Sequence, residues 1–164
     1  MSKLTWKLQY KFVDKVLKGD RLFWDFSQKD EIYIFGDSFH FYVIPMTDVF
    51  IDILKIQNYM GHRNNLTRVK LIDEYNKMDF CSNVCWTVEQ WTKDKGTLRK
   101  FEYLDKHLWI NETYLKEFDF FKNPESFCIG ADPVDGFKKP VMFESEDLTV
   151  VILPVRVGDE NGRR

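Results

Sequence analysis

The chain has 164 residues, room for one domain or at most one and a half. Its 24 Lys and Arg against 26 Asp and Glu leave a formal charge of -2, which argues against a polyanion-coating role. Hydrophobic residues make up 44%, and the 15 Phe, 7 Tyr and 5 Trp are about twice an ordinary aromatic share, so a dense core is available and bulk disorder is excluded. No run approaches the roughly 20 apolar residues that cross a bilayer, and the opening Met1-Ser-Lys-Leu-Thr-Trp6 lacks the apolar centre of a secretion signal. The expectation is a cytoplasmic protein with no membrane partner.

After a short apolar start, Leu8, Phe12 and Val16 recur at helical spacing with Val13 and Leu17 beside them. Gly19-Asp20 stops the pattern where a helix C-cap would sit, so the spacing predicts a helix over Leu8 to Lys18. Arg21-Leu-Phe-Trp-Asp-Phe-Ser27 comes next as a strand. Glu31 to Gly36 and Phe39 to Ile44, rich in aromatic and β-branched residues and separated by a Gly-Asp-Ser turn, read as a hairpin ending at Pro45.

The middle is less regular. Val49 to Ile56 reads as a strand or loop edge, Gly61-His-Arg-Asn-Asn65 breaks it, and Leu66 to Met78 places Leu66, Val69, Ile72 and Tyr75 on one face of a helix with Asn65 as N-cap. Val84 to Trp91 and Thr97 to Tyr103 flank Thr92-Lys-Asp-Lys-Gly96, turn residues between two strands.

From His107 the first pattern returns. Leu108-Trp-Ile110 reads as a strand, Glu112 to Phe121 as a short helix with Leu115 and Phe118 inward, and Ser126 to Ile129 as a strand. Asp132-Pro-Val-Asp-Gly136 turns the chain into a hairpin of Pro140 to Phe143 and Thr149 to Leu153 around Glu144-Ser-Glu-Asp147. Both ends therefore spell strand, helix, three strands and proline, with Pro45 and Pro154 at matching places, an internal repeat. The polar tail 158–164 is expected to fray.

The run Leu108-Trp-Ile-Asn-Glu-Thr-Tyr-Leu-Lys-Glu-Phe118, then Lys139-Pro-Val-Met-Phe143, then Val151-Ile-Leu-Pro-Val-Arg-Val157 resembles the last half-domain of bacterial DNA polymerase sliding clamps. In that family Asn-x-x-Tyr-Leu opens the helix, Pro-Val opens the penultimate strand, and an apolar run ends in Pro-x-Arg and one apolar residue. The internal repeat extends the likeness to residues 4–45. The resemblance implies an α+β, DNA-clamp-like fold of two β-α-β-β-β halves with their helices on one face of an antiparallel sheet. It would be one domain over 1–157 with an insertion at about 61–103. Such clamps are rings of six such domains with two or three on each chain, so a ring of this chain would need a homo-oligomer of six copies. The compact length, the high aromatic content and the single domain fit a phage or mobile-element relative.

For DNA the informative feature is the first helix. Lys7, Lys11, Lys15 and Lys18 fall at i, i+4, i+8 and i+11, one basic stripe opposite the apolar face, and a sliding ring needs such sequence-independent attraction to duplex phosphates. Residues 1–106 carry 17 basic against 15 acidic groups, and 107–164 carry 7 against 11. Against the pore reading, Glu112, Glu117 and Asp119 sit on the second helix. The resemblance places a groove for polymerase or clamp-loader peptides at Val151, Leu153, Pro154, Val155 and Arg156, with Ile152 and Val157 beside them. Filling of the core by Val151, Leu153 and Val155 on alternate positions is the simpler alternative.

Catalytic patterns are absent: there is no Gly-rich phosphate loop, no Gly-x-Ser-x-Gly and no His-x-x-x-His, so no enzyme and no cofactor are expected. Cys81 and Cys85 have a metal-like spacing that His40, His62 or His107 could complete. No second pair closes the site, and reduced thiols in the core account for Cys81, Cys85 and Cys128 without a metal. The reading is a clamp-like replication accessory protein, a processivity factor binding DNA or replication proteins. The alternative is a stand-alone clamp-fold module that engages host replication proteins without encircling DNA.

Overall fold

The structure, a computed structural model, describes residues 2–60, 65–78, 84–93, 96–103, 105–132 and 139–157. Gly61-His-Arg63, Cys81, most of the turn after Asp132 and the tail lie outside the described residues. The chain divides into two compact units, Met1–Met78 with Ser145–Val150, and Asp79–Glu144 with Val151–Arg164.

The first unit begins with α1 (Lys3–Leu17), five residues earlier than the apolar spacing places it. Ser2 is the reason: its Oγ accepts the Thr5 N–H at 3.2 Å, and Thr5 Oγ1 donates to the Ser2 carbonyl at 2.9 Å, so the first turn is capped. No strand precedes the helix among the described residues, and the first half is helix and then strands rather than β-α-β-β-β. Gly19 ends the helix as expected, at φ +86°, a conformation that glycine adopts without penalty.

Strands β1 (Leu22–Ser27), β2 (Ile32–Gly36) and β3 (His40–Pro45) form an antiparallel meander, as the hairpin pattern predicts. Gly36 is required at its bend, because a Cβ there would run into the His40 carbonyl and Phe41 Cα. Leu8, Phe12 and Val16 pack α1 into this core, with Phe12 edge-on to Phe35 at 5.1 Å.

The middle corrects two expectations. Val49 to Ile56 is not a strand: α2 (Ile53–Met60) begins there, because Asp52 accepts the Lys55 N–H at 3.0 Å in the manner of an N-cap. Leu66 to Met78 is not one helix. It is β4 (Leu66–Arg68), paired parallel to β1, and α3 (Leu71–Asn76), which packs on β1. Asn65 caps no helix; its Nδ2 donates to the Gly19 carbonyl at 2.6 Å, and its carbonyl accepts the Leu22 N–H, which aligns β4 with β1.

The second unit holds an antiparallel sheet of β5 (Cys85–Lys93), β6 (Gly96–Tyr103) and β7 (Lys106–Asn111), the expected second hairpin plus one strand. Asn111 then caps α4 (Glu112–Glu117) by accepting the Thr113 N–H at 2.9 Å. Leu115 and Phe118 are fully buried, as the spacing predicts. The helix stops short of Phe121 because Asp119 turns left-handed at φ 55°, and a single 3-10 turn, Phe120–Lys122, comes after it. That turn drives Phe120 into a cluster with Phe118, Phe127 and Phe143, ring centroids 5.3–6.0 Å apart. Strands β8 (Cys128–Gly130) and β9 (Val141–Glu144) are antiparallel, with Ile129 opposite Phe143.

Strand β10 (Thr149–Ile152) is shared, with Thr149 and Val150 in the first unit and Val151 and Ile152 in the second. Within the first unit the strand order is β4-β1-β2-β3, in the second β8 pairs with β9, and β5-β6-β7 form a separate three-stranded sheet. The class is α+β. The sheet is not wholly antiparallel, since β1 and β4 run together.

Candidate functional site

The first candidate surface is α1. Lys7, Lys11, Lys15 and Lys18 lie along it, the first three half-buried and each next to a buried residue, Leu8, Phe12 or Val16, and Lys18 exposed. Lys18 is not a plain phosphate ligand, because its Nζ meets Asp14 Oδ2 at 2.6 Å and that bond and charge raise its pKa.

Beside the lysines runs a line of apolar side chains that face solvent. Trp6 is 50% exposed, Tyr10 66% and Leu17 57%. The signal was in the sequence as a four-residue period: Lys3-Leu-Thr-Trp6, Lys7-Leu-Gln-Tyr10, Lys11-Phe-Val-Asp14, Lys15-Val-Leu-Lys18. Each repeat opens with a lysine and an apolar residue and closes on an outward side chain, and only the lysine of each is visible to a search for basic stripes.

A buried amide organises this surface. Gln9 is wholly buried; its Nε2 donates to the Asp48 carbonyl at 2.8 Å and its Oε1 accepts the Phe50 N–H at 3.0 Å. The segment after β3 is thereby tied to α1, and Phe50, itself 41% exposed, stacks on Trp6 with centroids 4.7 Å apart and planes at 20°.

The second candidate surface is the end of β10 with residues 153–157. Val150, Val151 and Ile152 are all buried, so the expected alternation through Val151, Leu153 and Val155 fails: a strand covered on both faces has no outward position. The chain then surfaces. Leu153 is 39% exposed, Pro154 and Val155 are half-buried and Arg156 is exposed. The Val155 N–H donates to the Trp109 carbonyl at 2.8 Å, so this segment lies along β7, whose Trp109 ring meets Trp91 edge-on at 6.0 Å. Pro154 offers no N–H, which limits the pairing to a single bridge and leaves Leu153 at the surface.

Two of the acidic residues on and just after α4, Glu112 and Asp119, are held by basic neighbours. Glu112 is buried and accepts from Arg99 Nη2 at 2.7 Å and from Gln90 at 2.6 Å, with Lys116 at 3.2 Å. Burial pushes its carboxyl up, and the bonds from Gln90 and Lys116 with the charges of Arg99 and Lys116 more than reverse this, leaving it below its usual range. Asp119 pairs with Lys122 at 3.1 Å. The Arg99 guanidinium also lies 4.9 Å from the Phe121 ring centroid.

Cys85 and Cys128 are exposed free thiols, not core residues, because they lie opposite Glu102 and Glu144 at surface positions of their strands. Among the described residues no group of three or more His, Cys, Asp or Glu is placed to hold a metal, and no helix is long and apolar enough to cross a membrane. His40 is instead part of a hairpin turn, its Nδ1 at 3.1 Å from Asp37 Oδ1. No family model, curated protein or solved structure matches the chain.

Proposed function

We propose that the protein is a non-catalytic, clamp-like interaction module that takes a short linear peptide from a replication protein along its C-terminal apolar-Pro segment. The observation that carries this reading is the course of residues 153–157. A buried strand gives way to an exposed Leu153, a Pro154 that interrupts hydrogen bonding, and a Val155 held on β7, with Arg156 outward. Apolar side chains on a strand end that cannot extend its ladder can receive the side chains of an extended peptide, and a guanidinium beside them can pair with a peptide carboxylate.

The test is titration of a labelled clamp-binding peptide against the native protein and against an Arg156→Ala, Val155→Asp variant confirmed as folded by circular dichroism. Binding weakened about tenfold or more in the variant supports the reading. Equal binding to both, or none to either, removes it.

A second reading, a ring-forming processivity factor on duplex DNA, is favoured by the Lys7, Lys11, Lys15, Lys18 line. It requires a homo-oligomer, so light scattering after size exclusion decides between the two: a monomer at working concentration leaves only the module.

A further inference from the structure

We propose that the outer face of α1 is a platform for single-stranded nucleic acid, with bases stacked on Trp6 and Tyr10 and phosphates neutralised by the lysine row. This surface lies on the first unit and is independent of the peptide reading above.

Four observations lead there. Trp6 and Tyr10 stand one turn apart and are half or more exposed, an unusual place for two of the largest apolar side chains. Lys3, Lys7, Lys11 and Lys15 repeat at the same interval, about 6 Å along the axis, each three residues before an outward side chain. The helix has no acidic residue in its first turn, so its N-terminal dipole adds to the lysines rather than being offset. The Trp6 ring is also held in place: Phe50 backs one of its faces, and Gln9, through two hydrogen bonds to backbone, holds Phe50.

The combination selects the occupant. A duplex offers phosphates to the lysines, but its bases are stacked on one another and present no face to Trp6 or Tyr10. A single strand offers both at once, and stacking on any base makes the contact independent of sequence. The lysines meet phosphate as point charges on flexible stems.

The experiment is fluorescence anisotropy with a labelled oligothymidylate and a blunt duplex of equal length, at low salt and through a salt titration. The expected result is tighter binding of the single strand, by about tenfold or more. Trp6→Ala with Tyr10→Ala should weaken the single strand about tenfold or more and leave the duplex unchanged, while Trp6→Phe retains most of the affinity. Lys7→Ala with Lys11→Ala should reduce the salt slope by about 0.7 for each lysine. The preference of the unmodified protein is informative even if a variant fails to fold. Equal or tighter duplex binding, no binding at low salt, no loss in the folded aromatic variant, or displacement of the oligonucleotide by polyglutamate at equal charge concentration would each overturn the proposal.

Discussion

Arg99 on β6 grips Glu112 at the start of α4 with two nitrogens, Nε at 3.0 Å and Nη2 at 2.7 Å from the same carboxylate oxygen. Both side chains are almost wholly buried, so the pair joins the three-stranded sheet to the helix that comes after it. Arg99 also donates to the Thr87 carbonyl at 3.4 Å on the bulged strand β5, which ties β5, β6 and α4 to one guanidinium.

Removing one partner of such a pair leaves the other charged, buried and underpaired. Arg99→Met should therefore destabilise the protein by roughly 3 kcal/mol in urea unfolding. Arg99→Met combined with Glu112→Leu should recover much of the loss, because the desolvation cost disappears with the second charge. A double variant as unstable as the sum of the singles would show that the two residues act separately.

Much of the fold was legible because its elements carry strong local signals. The two hairpins announced themselves by aromatic and β-branched runs on either side of turn residues, and α4 by Asn111 ahead of inward Leu115 and Phe118. The errors fall where local pattern and tertiary context compete. Leu66 looked like the first residue of an apolar helix face, but pairing with Leu22 draws it into a sheet, and a three-residue parallel strand has no sequence period. Val49 to Ile56 reads as a strand or loop edge until Asp52 is recognised as a helix cap. At the candidate surfaces, the lysine line was legible, since charge at i, i+4 spacing is easy to see. The exposure of Trp6 and Tyr10 was not, because an aromatic residue in an amphipathic helix is assigned to the core by default. Gln9 was invisible too: only the folded chain shows that Asp48 and Phe50 come to its amide.

Gln9 gives the next prediction. Gln9→Leu keeps the side chain similar in size but apolar, and leaves the Asp48 carbonyl and Phe50 N–H without this partner, at a cost of about 1–3 kcal/mol. The same change releases Phe50 from Trp6, so Trp6 should become more accessible to iodide quenching in the folded state. Quenching that matches the unmodified protein would mean that Phe50 stays in place without the amide.

The exposed thiols are directly testable. Cys85 and Cys128 should react with a disulfide reagent in the native protein without denaturant, and Cys85→Ser and Cys128→Ser should each remove one fast-reacting thiol. Reaction only after unfolding would return both residues to the core that their composition first suggested. Stability should change little in either variant, within about 0.5 kcal/mol, because both positions are at the surface.

The last prediction concerns Asp37 in the turn between β2 and β3. Its Oδ1 accepts the Phe39 N–H at 2.8 Å and the His40 N–H at 3.0 Å, and stands 3.1 Å from Nδ1 of the buried His40 ring, so one carboxylate organises the whole turn. Burial pushes the carboxyl up, but the hydrogen bond and charge of His40 with the two backbone N–H groups outweigh it, and the pKa ends below its ordinary value. A carboxyl whose folded pKa is depressed stabilises the fold above its unfolded pKa, and that contribution is lost as pH falls through the folded value. Asp37→Asn keeps an acceptor oxygen for the turn but has no charge to lose. The substitution should therefore cost roughly 1 kcal/mol at neutral pH, and the gap between variant and unmodified protein should close as pH falls from about 4 downward. Urea unfolding of both proteins across that range measures it. A gap that stays constant to the lowest pH at which the protein remains folded would show that the Asp37 charge contributes nothing beyond what its hydrogen bonds to the turn provide.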